Sequence, residues 1–82
     1  MITAEDLDVR IVEWQRTHYP YKRLAAQIAT WAREQERGTA LPGNDFFAGD
    51  LDFAASTSTW TRAKVFLRTV GVLRGNGSFE VA

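Results

Sequence analysis

Leu7, Ile11 and Trp14 recur at intervals of four and three residues near the start of the chain, with Val12 beside them. That is the spacing of one helix face. Thr3 opens a Thr-x-x-Asp start, a relative of the capping box, so a helix is predicted over Ala4–Arg16. His18, Tyr19 and Pro20 close it, because the residue before a proline avoids the helical region. Leu24, Ala25, Ile28, Ala29 and Ala32 then form a second, narrow apolar stripe with Trp31 at its edge. Arg33, Glu34, Glu36 and Arg37 fall on the polar side, which predicts a helix over about residues 21–37 with Gly38 as its stop.

Residues 39–43 read as a loop around Leu41, Pro42 and Gly43. Asn44 or Asp45 is placed to cap a short helix over 46–51, which Gly49 weakens, and 52–56 reads as a turn. Ser56 or Ser58 caps a further helix over Thr57–Val70, with Trp60, Ala63, Leu67 and Val70 spaced three, four and three, and Gly71 ends it. Val72, Leu73 and Arg74, then Ser78, Phe79, Glu80 and Val81, read as two short strands. Gly75, Asn76 and Gly77 between them tolerate positive φ in a tight turn. The expected fold is mainly α with a small β-hairpin, in a single domain over 1–82.

Composition supports a folded chain: 82 residues, 45% hydrophobic, with three Trp and five Phe. The chain has no cysteine, which excludes disulfides and thiolate metal sites. No apolar run approaches the ~20 residues of a membrane span. The start, MITAEDLDVR, lacks a signal-peptide core, so no membrane partner and a cytoplasmic location are expected. His18 is the one histidine and stands near no recognisable nucleophile in sequence. No catalytic residue, metal or cofactor is therefore expected, and the chain does not read as an enzyme.

The net charge is +0, but the charges are segregated. Residues 1–20 carry Glu5, Asp6, Asp8 and Glu13 against Arg10 and Arg16; residues 43–53 carry Asp45, Asp50 and Asp52 with no base. Residues 54–82 carry Arg62, Lys64, Arg68 and Arg74 against Glu80 alone. A neutral total thus leaves room for a basic face opposite an acidic one.

A helix that reads DNA needs one face anchored in a core and the other free to enter the major groove. With Trp60, Ala63, Leu67 and Val70 inward, Ser58, Thr61, Arg62, Val65 and Thr69 point outward, and Lys64 and Arg68 lie on a flank. Hydroxyls suit base edges and phosphates, Arg62 suits a bidentate contact to guanine, and Val65 suits a thymine methyl. The helix start at Thr57 and Ser58 offers free backbone N–H groups to a phosphate. In the hairpin, Leu73, Phe79 and Val81 are expected on the core, with Arg74 and Asn76 left at the loop to follow the backbone or enter a minor groove. Trp14, Trp31 and Trp60 are expected to be packing residues.

These features resemble the winged helix-turn-helix of GntR-type bacterial regulators. The resemblance rests on Pro20-Tyr21-Lys22-Arg23-Leu24-Ala25-Ala26-Gln27-Ile28 for the family's Pro/Tyr start and Leu-Ala-x-x-Ile helix, and on Leu41-Pro42 for its Leu-Pro loop. Ala55 to Ala63, with Leu67 to Val72, is similar to its recognition helix. Residues 75–81 are similar to its Gly-x-Gly-x-Phe-Val wing end. The resemblance implies a winged helix-turn-helix core over 20–82; the helix in 1–17 is extra to that core and is the candidate for dimerisation or core completion. It implies a transcriptional regulator or architectural accessory factor of bacterial, plasmid or phage type that binds double-stranded DNA; a homodimer is expected because one small neutral domain supplies few phosphate contacts. Thr57, Ser58, Thr61, Arg62, Val65 and Arg68 are the expected contacts on the reading helix; Arg74 and Asn76 are those on the wing, and Tyr21, Lys22 and Arg23 those on the helix at 21–37.

The chain also departs from that pattern. Gly43-Asn44-Asp45 stands where the family has Ser-Glu-Arg, and Thr57 stands where an Arg commonly follows the capping Ser. With the loop aspartates, these departures carry a second expectation: a winged-helix protein-interaction module, inhibitor or adaptor, that meets a protein partner through the acidic loop 45–52.

Overall fold

Thr3 caps the first helix, α1 (Ala4–Arg16), its hydroxyl oxygen accepting from the Asp6 N–H at 3.2 Å. Glu5 and Asp6 in the first turn and Arg16 in the last suit the helix dipole. The chain leaves helical geometry at Thr17 and stays extended at Tyr19, as the proline after it requires. Pro20 then takes the first position of α2 (Pro20–Ala32), where a missing N–H costs nothing. The computed structural model describes residues 3–48 and 56–82.

α2 ends at Ala32, five residues before the end its polar face predicts. The chain tightens there, with Glu34 and Gln35 donating to the carbonyls of Trp31 and Ala32, three residues back. The helix propensity of residues 33–37 yields to the demands of the next segment. Gly38, at φ +87, is not the helix stop but turns the chain into the segment 39–41, which bridges to the hairpin at Ala40. The short helix α3 (Asn44–Ala48) includes Asn44 and Asp45 rather than being capped by them. The expected helix over 46–51 and the turn over 52–56 lie largely outside the described residues.

Ser56, not Ser58, caps α4 (Thr57–Val70), accepting from the Thr59 N–H at 3.1 Å. Gly71, at φ +91, closes that helix in the left-handed conformation that favours glycine. β1 (Leu73–Asn76) and β2 (Ser78–Val81) pair antiparallel, Leu73 opposite Val81 and Arg74 opposite Glu80. Pairing runs through Gly75 and Asn76, so the turn is tighter than the three residues expected, with Gly77 at its tip.

β2 also bonds on its other edge. The Gly38 and Leu41 N–H groups donate to the Val81 and Phe79 carbonyls, and the Val81 N–H donates to the Thr39 carbonyl, around an Ala40–Glu80 bridge. The described part is thus mainly helical, four helices with a two-stranded antiparallel hairpin. None of those helices is long and apolar enough to cross a membrane.

α2 sits between α1 and α4. Its buried Ala25, Ala26, Ala29 and Ala32 let the neighbouring backbones come close, while Leu24 and Ile28 fill the remaining volume. Leu67 and Ala63 of α4, Phe47 of α3, Val72, Leu73 and Val81 at the hairpin, and Ile11 and Trp14 of α1 complete the core. Trp60 and Val70 are half-buried at its margin. α1 adds core on a second side: the Trp14 ring meets Phe66 edge-on at 5.1 Å. Phe66 also meets Tyr21 of α2 at 5.7 Å, so one aromatic side chain joins three helices.

Candidate nucleic-acid interface

Anchoring by Ala63 and Leu67 fixes how α4 faces solvent. Ser58, Thr61, Arg62, Val65 and Thr69 are all exposed, as the periodicity predicts. The helix contains no acidic residue. Its exposed face is bordered by cations on both flanks. Arg62 lies on the α2 side, its guanidinium 5.0 Å from the centre of the Tyr21 ring. Lys64 and Arg68 lie on the hairpin side, 5.1 and 5.7 Å from the Phe79 ring. Lys64 also sits 5.1 Å from the Trp60 ring. Such contacts hold a cation by its flat partner without neutralising it, leaving charge available to an incoming anion.

The expected site residues, Lys22 and Arg23 aside, divide into two groups. Tyr21, Thr57, Ser58, Thr61, Arg62 and Val65 line one open groove between the start of α2 and the first half of α4. Tyr19 and Pro20 form part of the same groove. Tyr19 carries no sequence signal for this role beyond its place before Pro20, which fixes it there. Lys22 and Arg23 do not line the groove. Both are half-buried, and the Lys22 ammonium lies 5.6 Å from the Tyr19 ring and 5.8 Å from that of Phe66.

Arg68, Arg74 and Asn76 belong to the hairpin side. Arg68 donates to the Gly75 carbonyl at 3.1 Å, which ties the hairpin to α4. Arg74 is exposed, as expected, but its Nε donates to Glu80 Oε1 at 2.7 Å across the strands. Asn76 is exposed next to the tip. Phe79 is half-buried under the Lys64 and Arg68 cations.

Charge follows the same geometry. α2, α4 and the two strands carry six of the ten basic residues, Lys22, Arg23, Arg62, Lys64, Arg68 and Arg74, and one acid, Glu80. The other four bases and nine acids lie in α1, in α3 and in the remaining segments. Asp45 is exposed in the first turn of α3; Asp50 and Asp52, the rest of the acidic loop, lie outside the described residues.

Comparison of the chain with protein-family models, with curated proteins and with solved structures found no match.

Proposed function

We propose that this protein is a winged helix-turn-helix DNA-binding protein of GntR-like type, acting as a transcriptional regulator or DNA-architectural factor in the cytoplasm. α4 is the reading helix in the major groove, and β1–β2 is the wing on the backbone. The observation that carries the reading is the acid-free exposed face of α4, flanked by Arg62 on one side and by Lys64 and Arg68 on the other, and leading onto the hairpin. The order of elements supports it: α2, a short segment at 39–41 that bridges to β2, α3, α4, and then the hairpin.

In this reading Thr61 and Val65 meet base edges, Arg62 takes a guanine, and the Thr57 and Ser58 N–H groups take a phosphate. Arg68 and the hairpin follow the sugar–phosphate backbone. The test is a fluorescence-anisotropy titration with duplex DNA at low salt. Release of counterions from the contacted phosphates predicts an affinity that falls steeply as salt rises. Absence of binding to any duplex would end the proposal.

One observation favours the second reading, a protein-interaction module. The groove beside α4 is lined by Tyr19, Pro20, Tyr21 and Val65, a surface with more ring and methyl than charge, and Tyr19 is 59% exposed. Lack of duplex binding together with capture of a protein through this groove would favour that reading.

A further inference from the structure

α1 is patterned on two sides. Leu7, Ile11 and Trp14 pack into the domain. Roughly opposite them run Glu5, Val9, Val12 and Arg16, spaced four, three and four. All four are exposed, Val9 at 59% and Val12 at 46%. Four-three-four is the spacing of the seam through which two helices pack along their length.

The order of the stripe identifies what covers it. Acid, valine, valine, base reads into itself when reversed. In an antiparallel pair centred between Arg10 and Ile11, Val9 meets Val12 of a second copy and Glu5 meets its Arg16, and the two-fold axis repeats both contacts. A parallel pair would set Glu5 on Glu5 and Arg16 on Arg16. Within one copy, neither Glu5 nor Arg16 takes part in an ion pair of the described residues such as Arg33 with Asp8 or Arg74 with Glu80, so both end charges of the stripe are uncommitted. The register also brings like charges near each other, repeated by the axis: Asp8 stands at equal height with Glu13 of the second copy, and Asp6 lies within about one turn of that same Glu13. Asp8 is already neutralised by Arg33 of its own chain.

We infer that the outer face of α1 is an interface with a second copy of this chain, antiparallel, with Val9 and Val12 at its centre and Glu5–Arg16 pairs at its ends. The inference stands apart from the DNA reading, since it concerns the opposite side of α1 from α4 and is measured without nucleic acid. It gives the domain two copies of α4 related by a two-fold axis.

Sedimentation equilibrium of the full chain over a wide concentration range tests it. The wild type is expected to show a reversible monomer–dimer equilibrium. Val9→Ser with Val12→Ser is expected to raise the dimer Kd about tenfold or more, because the apolar centre is lost. Glu5→Arg is expected to weaken the dimer, and adding Arg16→Glu to restore it to within about threefold of wild type, as a direct charge pair requires. Circular dichroism checks that α1 survives; the serine variant keeps the test decisive if the charge swaps fray the helix. A chain that stays monomeric throughout overturns the inference. So does a dimer indifferent to the serine variant, or a double charge swap no better than the single.

Discussion

The Arg62 guanidinium lies over the Tyr21 ring, 5.0 Å from its centre, so a residue of α2 sets the direction of the cation on α4. Tyr21 is itself held edge-on by Phe66, which is held by Trp14 of α1. On the DNA reading, Arg62→Ala is expected to cut the preference for the best site over random duplex by about tenfold or more, the range of a lost bidentate base contact. Tyr21→Leu is expected to lower the same preference by a smaller factor while leaving random-duplex affinity nearly unchanged. Competition binding with site and random DNA measures both; a Tyr21→Leu variant that weakens all sequences equally would show that the ring does not aim the arginine.

Arg74 is committed to Glu80 across the hairpin. Glu80→Gln is therefore expected to strengthen binding to every duplex and to steepen the salt slope by about one, the signature of one added phosphate contact. Arg74→Ala leaves the Glu80 carboxylate unpaired and should weaken binding to every duplex with little change in the salt slope. Titrations at several salt concentrations distinguish these outcomes from a change in specificity, which neither variant is expected to cause.

The hairpin depends on Gly75. Its φ is +119, and a Cβ there would stand 2.1 Å from the Ser78 carbonyl oxygen, a backbone atom that cannot step aside. Gly75→Ala is expected to cost about 2 kcal/mol or more in chemical denaturation, from backbone strain and clash together. Gly43→Ala is the contrast: a Cβ meets nothing within 4 Å there, and the variant should be neutral or slightly stabilising. Equal midpoints for the two would remove the steric account of the turn.

Leu67 is fully buried where α4 meets the rest of the core. Leu67→Ala is expected to cost about 2–5 kcal/mol, a large share of the roughly 4–12 kcal/mol that a domain of this size has. Ser56→Ala removes the α4 cap and is expected to cost about 1 kcal/mol. Urea melts measure both, and a cap loss larger than the core loss would contradict this ranking.

Much of the fold was legible because short-range chemistry fixes it. Ser56 and Gly71 bracket α4, Thr3 and Pro20 set the ends of α1 and the start of α2, and the period of Ala63 and Leu67 sets which face of α4 is exposed. What the sequence concealed depends on distant partners. The early end of α2 comes from the pairing of 38–41 with β2, forty residues away, which local helix propensity cannot register. Phe66 lies to one side of the main apolar seam, and its role is visible only once α1 is docked and Trp14 reaches it. Arg74 and Glu80 are six residues apart, and their pairing needs the strand register.

The bonds from residues 38–41 to Phe79 and Val81 cover the outer edge of β2 around Ala40. Together with Arg68 gripping the Gly75 carbonyl, they stop the ribbon from swinging about its root. A surface fixed in this way loses little conformational freedom when a ligand arrives, so its contribution to affinity is already organised before the encounter.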